Sequence, residues 1–367
     1  MGLGNSVLHQ NSSQVTEQES HLADSNKLLR HLQVGISNVI LIDIVGNVLV
    51  TGANRDGQLG LGDLIEQKGL CPVYGLPPIN TASCETKHSL FLDFNGYIWA
   101  CGNNRYGQLG VGDFVWRNIP VRIETLPCIR AVACNNTSSL FLDENGEVWG
   151  CGCNQFGQLG LGHGKNKIST PEKLLVQESI RAISLAATHC LLLSNSGSVW
   201  ASGRNKDSPA RIRESPVTYF PERLEIPPIV SICAPYLIDE KKTLWKVHTG
   251  YSNRLTKMRV EIANVGAKVD SICCGFAIYE GNLFKIHTNP FGNGDGQITL
   301  QKTNVTNIHS VHSDEGFKIF VDLDGNLLVD GILPFENFKI DNSRIIGYQV
   351  AFNIDAQPCN TKSANKI

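Results

Sequence analysis

The chain has 367 residues, 42% of them hydrophobic, which is ample for a large core; 32 basic against 34 acidic side chains leave no overall field to draw nucleic acid or an acidic membrane. Thirty-five glycines and a scarcity of helix formers point to tight turns between short strands. Twelve cysteines are scattered without a CxxC or zinc-ligand spacing, so they are expected to be reduced and intracellular. No apolar run reaches the roughly twenty residues that a membrane span needs.

Residues 1–33 read as a polar, disordered leader, rich in Asn, Ser and Gln from residue 5 to 26. Its first residues, Met1 to Ser6, fit M-G-x-x-x-[ST], which makes Gly2 a lipidation candidate. A single myristoyl chain without a polybasic segment would give only weak, reversible membrane association. Lys27 and Arg30 are the leader's only basic side chains besides histidine, set against Glu17, Glu19 and Asp24, so phosphate neutralisation by it is not expected.

The repeat begins next. Gly52 to Gly62 reads GANRDGQLGLG, Gly102 to Gly112 reads GNNRYGQLGVG and Gly152 to Gly162 reads GCNQFGQLGLG. Each follows a hairpin signature: Val39 to Val50, Ser89 to Ala100 and Ser139 to Gly150, with a further copy at Cys190 to Ala201. Gly46, Gly96, Gly146 and Gly197 hold the same turn position, where a tight hairpin requires positive φ. Trp99, Trp149 and Trp200 share another position, occupied by Leu49 in the first copy, and read as a repeated core site. Cys84 and Cys134 are equivalent, as are Cys101 and Cys151, and read as small buried apolar residues.

Beyond residue 203 the pattern decays, but its spacing continues. Thr243-Leu244-Trp245, Gly281 to Phe284 and Gly325 to Leu328 align as hairpin returns, after strand signals at Val230 to Cys233, Val269 to Ile272 and Ile308 to Val311. A trace of the glycine-rich loop persists at Gly292 to Gln297. One such unit cannot bury both faces of its sheet, so the units must stack radially. The expected fold is all-β: a seven-bladed β-propeller of four-stranded blades over residues 34–352, clean to about 203 and degenerate over 204–350. Phe338 to Phe352 resembles the start of a repeat, so C-terminal strands are expected to complete the first blade, with residues 353–367 left as a flexible tail.

The G-x-N-x-x-G-Q-L-G-x-G loop after an H-S-L-F-L-D-x-N-G-x-[VI]-W hairpin resembles the repeat of the regulator of chromosome condensation family. His88 and His189 fall where that repeat commonly carries a histidine, while Asn38 and Ser138 replace it in the other copies; this variability points to satisfied structural residues rather than to a metal or catalytic role. The resemblance implies several kinds of work: guanine nucleotide exchange on Ran or another small GTPase, regulation of other GTPases, substrate recognition for ubiquitin ligation, and ultraviolet-B sensing in plants. The last fits poorly, because four of the five tryptophans sit at hairpin returns. Too little chain follows Ala351 for an appended ligase domain, so a ubiquitin role would be that of a substrate adaptor.

No Walker spacing, GxGxxG opening a helix, HExxH or GxSxG occurs, so no enzyme chemistry, cofactor or metal is expected. The expected function is that of a scaffold or regulator binding a protein partner through propeller loops, in the cytoplasm or at a membrane, with the nucleus left open. Exchange activity is the alternative, since it needs binding energy rather than a nucleophile. Candidate contacts are loop residues that differ between the clean repeats: Arg55, Asp56, Arg105, Tyr106, Asp113, Trp116 and Arg117. Trp116 lies in a charged stretch, FVWRN, and Trp and Arg are favoured interface anchors.

Overall fold

The computed structural model describes residues 27–204, 217–234, 236–246, 269–273, 276–288, 298–313, 317–322, 327–331 and 350–352. Gly2, the loop trace at 292–297 and residues 338–349 lie outside the described residues.

In the first blade, β1 (Lys27–Val34), β2 (Asn38–Asp43), β3 (Val48–Gly52) and β4 (Gln67–Pro72) pair antiparallel in that order. The same unit recurs over Ile79–Cys84, His88–Asp93, Ile98–Gly102 and Arg117–Arg122, and twice more with inner strands Ile129–Cys134 and Ile180–Leu185. Every residue of β2 is buried, as is every residue of His88–Asp93, Ser138–Asp143 and His189–Ser194. The reason is the two-residue period of a strand with a neighbour on both sides. Phe91 packs with Ile40 and Ile42 of the preceding blade, while Leu90 and Leu92 join Leu140 and Phe141 of the following one.

The described strands form seven sheets, of which one has five strands, four have four and two have three. The expectation of seven equal four-stranded blades therefore holds only in part: Ile229–Cys233 and Ile308–Ser313 each begin a sheet of three described strands. Inner strands touch from one sheet to the next, and Ile308–Ser313 touches β1, so the ring is closed.

Two boundaries differ from expectation. β1 starts at Lys27, inside the stretch read as a leader, because Leu32 and Val34 are buried and His31 Nε2 lies 3.0 Å from the Ala82 carbonyl of the next blade. The first blade thus has four strands of its own. The C-terminal strand Val350–Phe352 pairs with Lys27 to Leu29 as a fifth, adding to the blade instead of completing it.

The hairpin turns follow the glycines. Gly46, Gly96, Gly146 and Gly197 have φ of 101°, 82°, 82° and 84°. In the fifth sheet Lys242 occupies that position at φ 62°, and its amide still donates to Asp239 O as Gly46 does to Asp43 O. A left-handed lysine costs on the order of 1 kcal/mol, which is one physical form of the decay seen in the sequence.

The turn also depends on its leading aspartate. Asp143, buried, accepts from the amides of Asn145 (2.9 Å) and Glu147 (2.8 Å) on Oδ1 and from Trp149 Nε1 on Oδ2 (3.2 Å). Asp93 with Trp99 and Asp239 with Trp245 repeat the bond, and in the first blade Asn47 Nδ2 reaches Asp43 Oδ2 where Leu49 stands for tryptophan. Trp99, Trp149 and Trp245 are thus half-buried and tied to the turn, not purely apolar core residues; at Trp200, half-buried as well, Ser194 holds the aspartate's place and the bond is not made. Asp143→Ala would leave these donors unmet and is expected to cost on the order of 3 kcal/mol in denaturant unfolding. A loss below about 1 kcal/mol would contradict this role of the aspartate.

Candidate partner-binding face

Antiparallel order puts the loops between third and fourth strands at one end of every blade, together with the turns between first and second strands. The repeat's asparagine builds these loops from inside. Asn104, fully buried, accepts from the Leu109 amide on Oδ1 (3.0 Å) and donates from Nδ2 to Asp113 O (2.9 Å), Asp113 Oδ1 (3.0 Å) and Val115 O (3.1 Å). Asn54 clasps Leu59 and Asp63, and Asn154 clasps Leu159 and His163, in the same way. The repeat's glutamine completes the clasp: Gln58 Oε1 accepts from the Asp56 amide (3.0 Å) while Nε2 donates to Thr86 O of the next blade (3.0 Å).

Each loop also lies on the outer strand of the next blade. The amides of Gly62, Gly112 and Gly162 donate to Asn118 O, Ser169 O and Tyr219 O at 2.8, 2.9 and 2.8 Å. A Cβ at Gly107 would stand 2.4 Å from Ile168 O, so the loop backbone can approach only as glycine. The consequence is a face whose loops are fixed before any partner arrives, which reduces the ordering cost of binding.

The clasp sorts the sequence candidates. Arg55 and Arg105 are exposed, and Trp116 is 50% exposed at the outer part of its loop, beside the exposed Phe114 and Val115. Trp116 is therefore not packed away into its blade. Tyr106 is half-buried with Lys167 Nζ 5.5 Å from its ring centre, and the same ammonium lies 5.8 Å from that of Phe114. Asp56, Asp113 and Arg117 are occupied within the protein. Asp56 Oδ1 accepts from Asn103 Nδ2 (2.7 Å), and Arg117 binds Asp113 Oδ2 at 2.6 Å and Val115 O at 2.6 Å. Burial opposes charge on Asp113, but the Val115 amide and the Arg117 guanidinium outweigh it and hold its carboxyl below the ordinary value. These three shape the loop; Arg55, Arg105, Tyr106 and Trp116 remain as contact candidates.

Sequence reasoning missed the exposed Leu64, Ile65, Ile119 and Phe220 at the same end. Leu64 and Ile65 stand at the repeat offset of Phe114 and Val115, so a search for apolar residues just after the clasped Asp63 would have found them.

Behind the face, His88 and Ser139 join neighbouring blades. Ser139 Oγ donates to Gln108 O (2.7 Å), so it accepts from His88 Nε2, 2.8 Å away. Burial lowers the His88 pKa to about 3 and that of His189 to about 4. The expectation that both histidines are satisfied is corrected: His88 Nδ1 and both His189 nitrogens are buried without a partner among the described residues. For His189 the sequence offers a reason: counting back from Asp239 as from Asp143, the residue that corresponds to Ser139 is Pro235, which has no hydroxyl. The equivalent cysteines Cys101 and Cys151 are buried free thiols directed at Gln58 O and Gln108 O, and burial pushes Cys134 up to about 12.

A histidine depressed in the folded state takes up its proton first in the unfolded chain. Stability is therefore expected to fall as pH drops from the ordinary value of 6.5 toward about 3. His88→Ser, the residue at Ser138 in the third blade, should flatten the melting-temperature profile in that window; an unchanged slope would show that His88 is not kept neutral.

The regulator of chromosome condensation repeat matches residues 95–142 and 145–193, and a second description of that repeat matches 129–158. Regulator of chromosome condensation from Drosophila melanogaster is 36% identical over 87 residues, covering 23% of this chain and 15% of that relative's length. Human WBSCR16 superposes with a TM-score of 0.65 at 22% identity, over 79% of this chain and 85% of that one. Prp20p from Saccharomyces cerevisiae superposes with a TM-score of 0.54 at 18% identity, over 77% and 65%. At such identities the likeness is one of fold. Over residues 95–142 and 145–193 the chain thus carries the regulator of chromosome condensation repeat, and its described blades share the fold of the Prp20p propeller.

Proposed function

We propose that this propeller is a regulator that binds a protein partner across its loop face, with a small GTPase as the partner class. The observation that carries the reading is the exposed Phe114-Val115-Trp116 segment, held on a loop that Asn104 clasps from within and that also carries the exposed Arg105. Large aromatic side chains on a rigid support are what interface anchors require.

The choice of a GTPase rests on the family resemblance and on Prp20p, whose structure is described with its binding to Gsp1p and histones. Exchange on such a partner would proceed by binding alone: the face would favour the nucleotide-free GTPase over the loaded one.

Affinity capture in EDTA, which strips magnesium and nucleotide, is expected to enrich one GTPase, and the purified chain should then speed release of labelled GDP from it. Trp116→Ala should weaken that binding by roughly 2 kcal/mol while leaving the melting temperature unchanged. Capture without faster release would leave a binding regulator and exclude exchange. Equal binding by Trp116→Ala and Phe114→Ala would remove the loop face as the site.

A further inference from the structure

The opposite end of the ring carries a feature that partner binding at the loop face does not use. In the inner strand of six sheets, the register slips at one equivalent residue, which is left out of the pairing: Arg30, Asn80, Arg130, Arg181, Val230 and His309. A β-bulge of this kind re-aims its side chain out of the sheet. Here it aims three arginines from one blade to the next.

Arg130 donates from Nε to Asp143 O (3.0 Å) and from Nη2 to Ile180 O (2.7 Å), one residue before the next bulge. Arg181 donates from Nε to Ser194 O (3.2 Å) and from Nη2 to Ile229 O and Val230 O (both 3.2 Å). Arg30 Nη1 meets Asn80 Oδ1 at 3.0 Å, with its guanidinium 4.6 Å from the centre of the exposed Phe94 ring. Each arginine thus ends at the bulge of its neighbour, and the three form an arc along the inner strands.

All three are exposed, and among the described residues none has a carboxylate within 4.0 Å. Their bonds go to neutral oxygens, which fix the guanidinia without cancelling the charge. Several N–H groups on each remain free to donate.

We propose that this arc is a second interaction surface, which takes an extended acidic peptide segment of a partner protein. Pre-oriented guanidinia suit carboxylates through paired N–H donors. Phe94 and Val45, exposed at the same end, offer apolar contact to residues between the acids. Glu124 and Glu144, exposed at that end, repel carboxylate and phosphate alike; the apolar Phe94 and Val45 favour a peptide over a continuous phosphate chain, which has no apolar side chains to set against them.

The test uses the full chain and a short fluorescein-labelled peptide of alternating glutamate and leucine, read by anisotropy at low and high salt. Binding is expected at low salt and should weaken as salt rises. Arg130→Gln with Arg181→Gln should lower affinity roughly tenfold. Val230→Arg, which adds a guanidinium at the next bulge and removes no side-chain hydrogen bond, should tighten binding several-fold. It keeps the test decisive if the double variant fails to fold. Failure of the wild-type chain to bind the peptide, equal or tighter binding of oligo-dT, or unchanged affinity in Val230→Arg would each overturn the proposal. Trp116→Ala should leave peptide binding intact, so this surface and the loop face stand or fall separately.

Discussion

A four-stranded sheet with apolar residues on both faces has to be covered twice, and in this ring the cover is always the next blade. Phe91 goes one way and Leu90 and Leu92 go the other, so no blade has a core of its own. The buried asparagine clasp makes that stacking directional. By holding the glycine-rich loop in shape, Asn54, Asn104 and Asn154 allow its backbone to lie on the outer strand of the following blade. What would otherwise be a long surface loop becomes part of the seal between blades.

That seal separates two kinds of loop residue. Side chains that serve the clasp or the junction, such as Asp56, Asp113 and Arg117, are spent within the protein. Those that follow the clasp, Phe114 to Trp116 and their counterparts Leu64 and Ile65, are held outward at low cost in entropy. Variation between repeats is therefore not itself a sign of function. Asp113 and Trp116 both differ from the third copy, yet only one is available to a partner.

Much of the architecture was legible because the hairpin and the glycine loop recur at fixed spacing, and the turn glycines took the positive φ assigned to them. What escaped was carried by backbone geometry. β1 reads KLLRHLQV, unlike the inner strands IRAVAC and IRAISL, so nothing in its sequence marks it as part of a repeat although Leu32 and Val34 are core residues. The bond from Asp143 to Trp149 spans six residues across a turn, and the composition of either residue gives no hint of it. The inner-strand bulges were invisible for the same reason: Arg30, Arg130 and Arg181 read as ordinary surface charge until the register shows them unpaired. In the eroded half, Lys242 keeps the turn that glycine makes elsewhere, so decay of the motif there is not loss of the element.

The central claim is that the loop face is fixed before binding. Amide hydrogen exchange on the free chain tests it most directly, at Leu59, Leu109 and Leu159, whose N–H groups meet the buried asparagines at 3.0 Å. These three amides are expected to exchange as slowly as those of the central strands, opening only with the blade. Exchange as fast as that of an exposed loop would contradict the account, because the outward residues would then have no rigid support.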